Sequence, residues 1–252
     1  MSYKIHTIGG FSEVGKNMVA IDLGDDAFIF DMGFFLPAIV AMQERDQVLT
    51  EKKLREIQAI PDDSCIDYLR HKVRAIFIGH AHLDHIGAVP FMSDKYHCPI
   101  YGTPFTIAVL NSLLQDNDIY LRNKTKSVHP NSSVFIQGKH KTYQVDFINI
   151  THSTLQTAFI ALHTDKGVIL YANDFKLDNN PIVGQAPNYD KLKQIAKQGV
   201  YAFIVDSLYA SSDRKTPSEK IARTLLEEVL LTIHNRDAGI ITTTFSSHIA
   251  RL

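Results

Sequence analysis

Seven residues, Gly79-His80-Ala81-His82-Leu83-Asp84-His85, constrain this chain more than any other stretch. They gather three imidazoles and a carboxylate within six positions, the ligand types that suit zinc and its first-row neighbours. With 12 histidines in 252 residues, a His-x-His-x-Asp-His pattern arises by chance in roughly one chain in a thousand of this length. The run just before it, residues 73–78, is short, apolar and continuous, and reads as a strand buried on both faces. The fold must therefore carry a metal site at the C-terminal end of an interior strand.

Composition narrows the setting. With 45% hydrophobic and 21% charged residues, the chain reads as globular, with enough apolar residues for one large domain or for one domain and part of another. No basic segment followed by an apolar one opens it, so no secretory signal is visible. Its most apolar window, residues 27–42, is interrupted by Asp31, Gly33 and Pro37, which argues against a membrane span. Cys65 and Cys98 stand in unrelated contexts, so neither a disulfide framework nor a thiolate zinc site is expected, and a cytoplasmic location follows. A formal net charge of −1 leaves polyanion binding to local patches. The basic stretches 70–74, 122–126 and 139–141 read as solvated faces before phosphate grips.

Short apolar runs at residues 3–8, 18–23 and 27–30, punctuated by glycines, predict an opening β-meander. Thr50 then caps a helix over residues 50–60 that stops at Pro61, and a second short helix covers 63–70. After the strand at 73–78, a helix is expected over 84–92, a strand over 99–101, and a largely buried helix opened by Thr103-Pro104. Residues 122–130 read as a polar connection. Strands return at 133–136, 143–150, 157–163 and 168–172, the last two joined by a turn at Asp165-Lys166-Gly167. A helix over 189–197, a buried strand over 201–205, a helix after the capping box Thr216-Pro217-Ser218-Glu219 and a last strand over 239–244 complete the reading.

Potential ligands follow three separate strands: His80, His82, Asp84 and His85 after one, His152 after a second, Asp174 after a third. Convergence at one sheet edge would let His80, His82 and His152 form one open site, Asp84 and His85 a second, with Asp174 between them. Paired ions of this kind sit about 3.5–4 Å apart and acidify a shared water, so that hydroxide is available at neutral pH. The implied chemistry is hydrolysis.

His-x-His-x-Asp-His with a downstream histidine and a further aspartate resembles the ligand set of the metallo-β-lactamase fold. The stretch Ile8-Gly9-Gly10-Phe11-Ser12-Glu13-Val14-Gly15-Lys16-Asn17-Met18, Asp31-Met32-Gly33 with Pro37, Thr151-His152-Ser153, Asn173-Asp174-Phe175-Lys176 and Asp206-Ser207 are similar to ribonuclease J, above all its archaeal branch, among the β-CASP nucleases. This resemblance implies an α/β protein: an αββα sandwich of two mixed β-sheets flanked by helices over residues 1–206, then the start of a β-CASP α/β domain over 207–252. It implies two zinc ions, with His80, His82 and His152 on one, Asp84 and His85 on the other, Asp174 bridging. Asp84, Asp174 and Asp206 take the catalytic roles, Asp206 orienting a histidine later in the chain, while Ser246, Ser247, His248 and Arg251 face RNA. The implied activity is 5′-to-3′ exonucleolytic hydrolysis of RNA, with endonucleolytic cleavage as a second mode, by an enzyme with a tendency to form homodimers and no membrane partner.

Three departures from the family's pattern touch loops and not ligands: Leu83 where Glu is common, Thr154-Leu155-Gln156 where a proline-containing loop is common, and Ala172-Asn173 where Thr-Gly is common. The family also carries two more histidine motifs beyond the region matched here, one of them a ligand to the second zinc. The expectation is therefore an incomplete centre that binds the His80/His82/His152 zinc better than the second. Competing readings are a thioester or lactone hydrolase on the same fold and a non-catalytic metal-binding fragment.

Overall fold

In a computed structural model, residues 2–43, 48–232, 239, 241–244 and 248–249 are described. The meander forms as expected: β1 (Lys4–Gly9), β2 (Met18–Asp22) and β3 (Ala27–Phe30) pair antiparallel. Every residue of β2 and β3 is buried, because both faces of this sheet are covered. The chain then forms α1 (Leu36–Gln43), α2 (Glu51–Glu56), a 3-10 stretch Asp63–Lys72 and β4 (Val73–Phe77), which joins β3 in parallel. Next come α3 (Leu83–Ile86), α4 (Val89–Met92), β5 (Ile100–Gly102), α5 (Pro104–Asp116) and β6 (Thr125–Ser127). The first sheet runs β1-β2-β3-β4-β5-β6, antiparallel at one side and parallel at the other.

The second sheet is built from β7 (Ser132–Gln137), β8 (Thr142–Asn149), β9 (Ala158–Thr164) and β10 (Gly167–Ala172), all antiparallel neighbours. After α6 (Tyr189–Gln198), β11 (Val200–Val205) adds to β10 in parallel, giving the order β11-β10-β9-β8-β7. The last described helix is α7 (Glu219–Thr232).

Three apolar clusters define the layers. Phe28, Phe30, Phe77, Phe147 and Tyr171 lie between the two sheets. Leu54, Ile66, Leu69, Met92 and Leu110 pack helices on the outer face of the first sheet, and Ile195 packs α6 on Ile148, Phe159 and Leu170 of the second. The molecule is a helix-sheet-sheet-helix sandwich of two mixed sheets, as the motifs implied. Among the described residues no helix is long and apolar enough to cross a membrane.

Several elements differ from the sequence reading. The helix expected over 84–92 is two short ones, because Pro90 has no N–H to give the Ile86 carbonyl and the helix stops there. The helix capped by Thr50 ends at Glu56 instead of residue 60, after which Gln58 takes a positive φ of 56°. Helix α1 has no counterpart in the sequence reading, and strand β6 falls within the stretch 122–130 expected to be a polar connection; β6 consists of Thr-Lys-Ser, too polar to signal a strand, and is held by pairing with β5. Strand β11 was expected to be buried but lies at a sheet edge, with Tyr201, Phe203 and Val205 exposed. On α7 the stripe Ile221, Leu225 and Val229 forms but is exposed, and Ile233 lies outside the described residues. No strand occurs among the described residues of 239–244.

Candidate metal centre

The parallel strands β3, β4 and β5 end on one side of the sandwich, and the site forms beyond them. Strand β4 delivers His80 and His82, α3 carries Asp84 and His85, β8 leads into His152 and β10 into Asp174. The structure thus brings together all six side chains predicted to ligate metal, in two overlapping groups: His80, His82, His152 and Asp174, and Asp84, His85 and Asp174.

In the first group Nδ1 of His82 lies 3.2 Å from Nε2 of His80 and 3.1 Å from Nε2 of His152. Asp174 Oδ2 stands 4.0 Å from His80 Nε2 and 3.7 Å from His152 Nε2. A tetrahedral ion with nitrogens at ~2.0–2.1 Å separates them by about 3.3 Å, so the histidine donors already stand at the edge lengths such an ion requires. Burial and mutual repulsion push these imidazoles toward the neutral, ligating form: His80 is held well below the usual histidine range, His82 is lowered, and His152 falls to about 3.

The second group has the opposite electrostatics. Burial would lower His85, but Asp31, Asp174 and Asp84 outweigh it and hold its imidazole well above the ordinary range. Its Nε2 lies 3.3 Å from Asp174 Oδ1 and 3.5 Å from Asp84 Oδ2. A site that draws a proton on to histidine between two carboxylates also suits a divalent cation in place of that proton. Asp174 itself is lowered to about 2: burial opposes this, and the hydrogen bond and charge of His85 outweigh it. The donor sets fit two ions sharing Asp174.

Sequence reasoning quoted Asp31 and Ser153 within motifs but gave them no role. Asp31 is fully buried with φ of 58°, and its Oδ2 accepts from His85 Nδ1 at 2.7 Å and from the Tyr171 hydroxyl at 2.7 Å, while Oδ1 accepts the Gly79 N–H at 2.8 Å. This fixes the His85 tautomer so that Nε2 faces the site. Ser153 Oγ lies 3.2 Å from His82 Nε2 and orients that ring from the other side. Gly33 makes the approach feasible: a Cβ there would fall 1.5 Å from the Asp84 carbonyl oxygen.

Asp206 is exposed at the end of β11, on the wall of the cavity that also contains Asp84, His85 and Asp174. Its N–H donates to the Ala172 carbonyl at 3.1 Å, and its Oδ1 accepts the Leu208 N–H at 2.8 Å. His248 comes near enough for its charge to push His82 and His152 down. Ser246, Ser247 and Arg251 lie outside the described residues.

Residues 12–177 match the model of the Metallo-beta-lactamase superfamily. The chain belongs to that superfamily. Within it, the similarity to ribonuclease J read from the motifs extends over the whole chain. It is 39% identical over 251 residues to the Ribonuclease J of Pyrococcus abyssi, covering 99% of this chain and 55% of that protein. The Ribonuclease J of Methanocaldococcus jannaschii is 39% identical over 254 residues, covering 100% of this chain and 56% of that protein. The chain therefore spans about half the length of the curated relatives it matches. A solved Enterococcus faecalis protein of unknown function superposes with a TM-score of 0.60 at 16% identity, over 90% of this chain and 57% of that one, a likeness of fold alone.

Proposed function

We propose that this metallo-β-lactamase superfamily chain is the metal-binding part of a zinc-dependent nuclease of the ribonuclease J type. It would hydrolyse RNA phosphodiesters from the 5′ end, with endonucleolytic cleavage as a second mode. The observation that carries this reading is Asp174, whose two carboxylate oxygens face different donor sets, Oδ2 toward His80 and His152 and Oδ1 toward His85. One carboxylate shared between two donor sets is what a two-ion phosphoesterase requires. The similarity, over the whole of this chain, to two proteins called Ribonuclease J favours RNA over a small ester.

In this reading His80, His82 and His152 would hold the first zinc, Asp84 and His85 the second, and Asp174 would serve both. The ions, when bound, supply an acidified water and positive charge opposite the phosphate oxygens. The chain's own residues set the geometry: Asp31 fixes His85, Ser153 fixes His82, and Asn17 Nδ2 donates to the Asp84 carbonyl at 3.0 Å, holding the start of α3. Asp206 is assigned to orienting a histidine, and residues 207–252 to opening a second domain.

The test is digestion of 5′-labelled RNA by the zinc-loaded chain beside a His82→Ala variant. Metal-dependent shortening from the 5′ end, weak for this chain by itself and absent in the variant, is the expected result. Intact RNA with two zinc ions bound, or turnover of a thioester or lactone while RNA stays intact, would overturn the reading.

A further inference from the structure

Beside the donor sets lies a cavity of about 380 Å³, walled on one side by Asp84, His85 and Asp174 and on the other by the loop between β1 and β2. That loop places Phe11 and Val14 on the wall with their side chains in solvent, 52% and 61% exposed, and Leu208 adds a third apolar face, 52% exposed. An aromatic ring left in water beside a hydrolytic centre costs free energy and gives nothing to the core.

The loop is not free to fold away. At its base the Lys16 N–H donates to the Phe34 carbonyl at 3.0 Å and the Asn17 N–H to the Asp84 carbonyl at 3.1 Å. Lys16 also pairs with Glu13 at 2.9 Å inside the loop. Gly10 turns at φ of +83°, and a Cβ there would come 2.3 Å from Asn17 Oδ1, so the loop closes tightly on the residue that grips Asp84. The loop that carries Phe11 is thereby anchored beside the metal donors.

Charge decides which part of a substrate this wall can receive. The described residues lining the cavity include Glu13, Asp84, Asp174 and Asp206 but no lysine or arginine. Apart from His85, which belongs to the donor sets, phosphates meet no cationic side chain among these lining residues and belong at the ions, whereas an uncharged planar group can lie on the phenyl face. Resting on the ribonuclease reading, the geometry points to Phe11 as a stacking platform for a nucleobase next to the scissile phosphodiester. The ligand class is a purine or pyrimidine ring of single-stranded RNA. Val14 and Leu208 line the same cavity and add apolar surface to it.

The chain contains no tryptophan, so Phe11→Trp introduces a sole indole whose emission a stacked base quenches. The probe is a nuclease-resistant, phosphorothioate-linked oligoadenylate, beside an abasic oligomer of equal length and charge, added to the zinc-loaded full chain. The oligoadenylate is expected to quench the indole and the abasic oligomer to leave it unchanged. Phe11→Ala should weaken oligoadenylate binding roughly ten- to a hundredfold, the range of one base-aromatic stack, and leave zinc content and abasic binding as they were. Phe11→Leu, which keeps apolar volume, should weaken it similarly.

Oligoadenylate binding with unchanged indole emission, or equal loss of both oligomers in Phe11→Ala, would overturn the stacking role while leaving the ribonuclease reading in place. Failure of the unmutated chain to bind or cleave RNA would remove that reading and the subsite with it.

Discussion

Asp31 shows what a single residue contributes outside the ligand set. Its carboxylate satisfies three buried donors at once, from His85, Tyr171 and Gly79. Burial first, and then the Asp31 charge, push the Tyr171 hydroxyl well above its usual range, so it remains a donor. Asp31→Asn keeps the size and tolerates the positive φ but offers a weaker acceptor. It is expected to reduce zinc affinity at the Asp84/His85 site about 10–100-fold, read by competition with a chromogenic chelator, with the three-histidine site less affected.

Asp146 poses a residue-scale question of stability. Burial would raise its carboxyl, but hydrogen bonds from His163, Gln144, Lys191 and Ser133 outweigh this and hold it well below the usual range. A carboxylate whose folded pKa lies below its unfolded value of about 3.9 contributes stability that is present above that value and lost as pH falls toward the folded one. Asp146→Asn should therefore lower stability by about 2 kcal/mol at pH 7 and flatten the decline between pH 5 and pH 3. Urea unfolding of both proteins at the three pH values measures this, and an equal decline in both would show that Asp146 is not its source.

At the scale of elements, the instructive helix is α7. Its side chains are exposed, so packing does little for it and its N-terminus depends on a remote cap: Asp178 Oδ2 accepts the Glu219 N–H at 2.8 Å. Lys176, two residues beyond Asp174 on the site's own loop, adds an ion pair to Glu219 at 3.0 Å. Asp178→Ala should cost α7 about 1 kcal/mol, seen as faster amide hydrogen exchange across α7 with β8 and β9 unchanged. Uniform acceleration everywhere would mean that α7 is not a separately opening unit. The capping box Thr216-Pro217-Ser218-Glu219 announced the helix, and Ser218 Oγ accepts the Lys220 N–H at 3.2 Å, but the Glu219 N–H is taken by Asp178, 41 residues away in sequence. Local pattern located the element, and a long-range contact supplied its anchor. Strand β11 shows the converse, because an apolar run signals a strand without telling whether a second neighbour will cover it.

The whole molecule is held by the layer between its sheets. Phe77 is fully buried there, with Phe28, Phe30, Tyr101 and Phe147 at ring-centroid distances of 6.1, 5.6, 5.6 and 6.1 Å. Phe77→Ala removes contacts from both sheets at once and is expected to cost about 3–5 kcal/mol, measured by chemical denaturation. A loss under 1 kcal/mol would mean that the sheets close the void. Because β4 also delivers His80 and His82, weaker zinc retention should accompany the loss.

The sequence by itself marked the strand that bears the metal motif and the six residues expected to be donors, because ligand type, spacing and strand position are local properties of a chain, and it pointed to the kind of fold through resemblance to a known family. Only tertiary structure decided that His80, His82 and His152 stand at ligand-edge distances, that Asp174 faces both groups, and that Asp31 and Ser153 orient the histidines. Apart from the His80–His82 pair, these are contacts between residues far apart in the chain, and the Tyr171 bond to the same Asp31 spans 140 positions. Burial on both sides of the sandwich makes them necessary, since a buried polar group left without its partner would cost too much to keep.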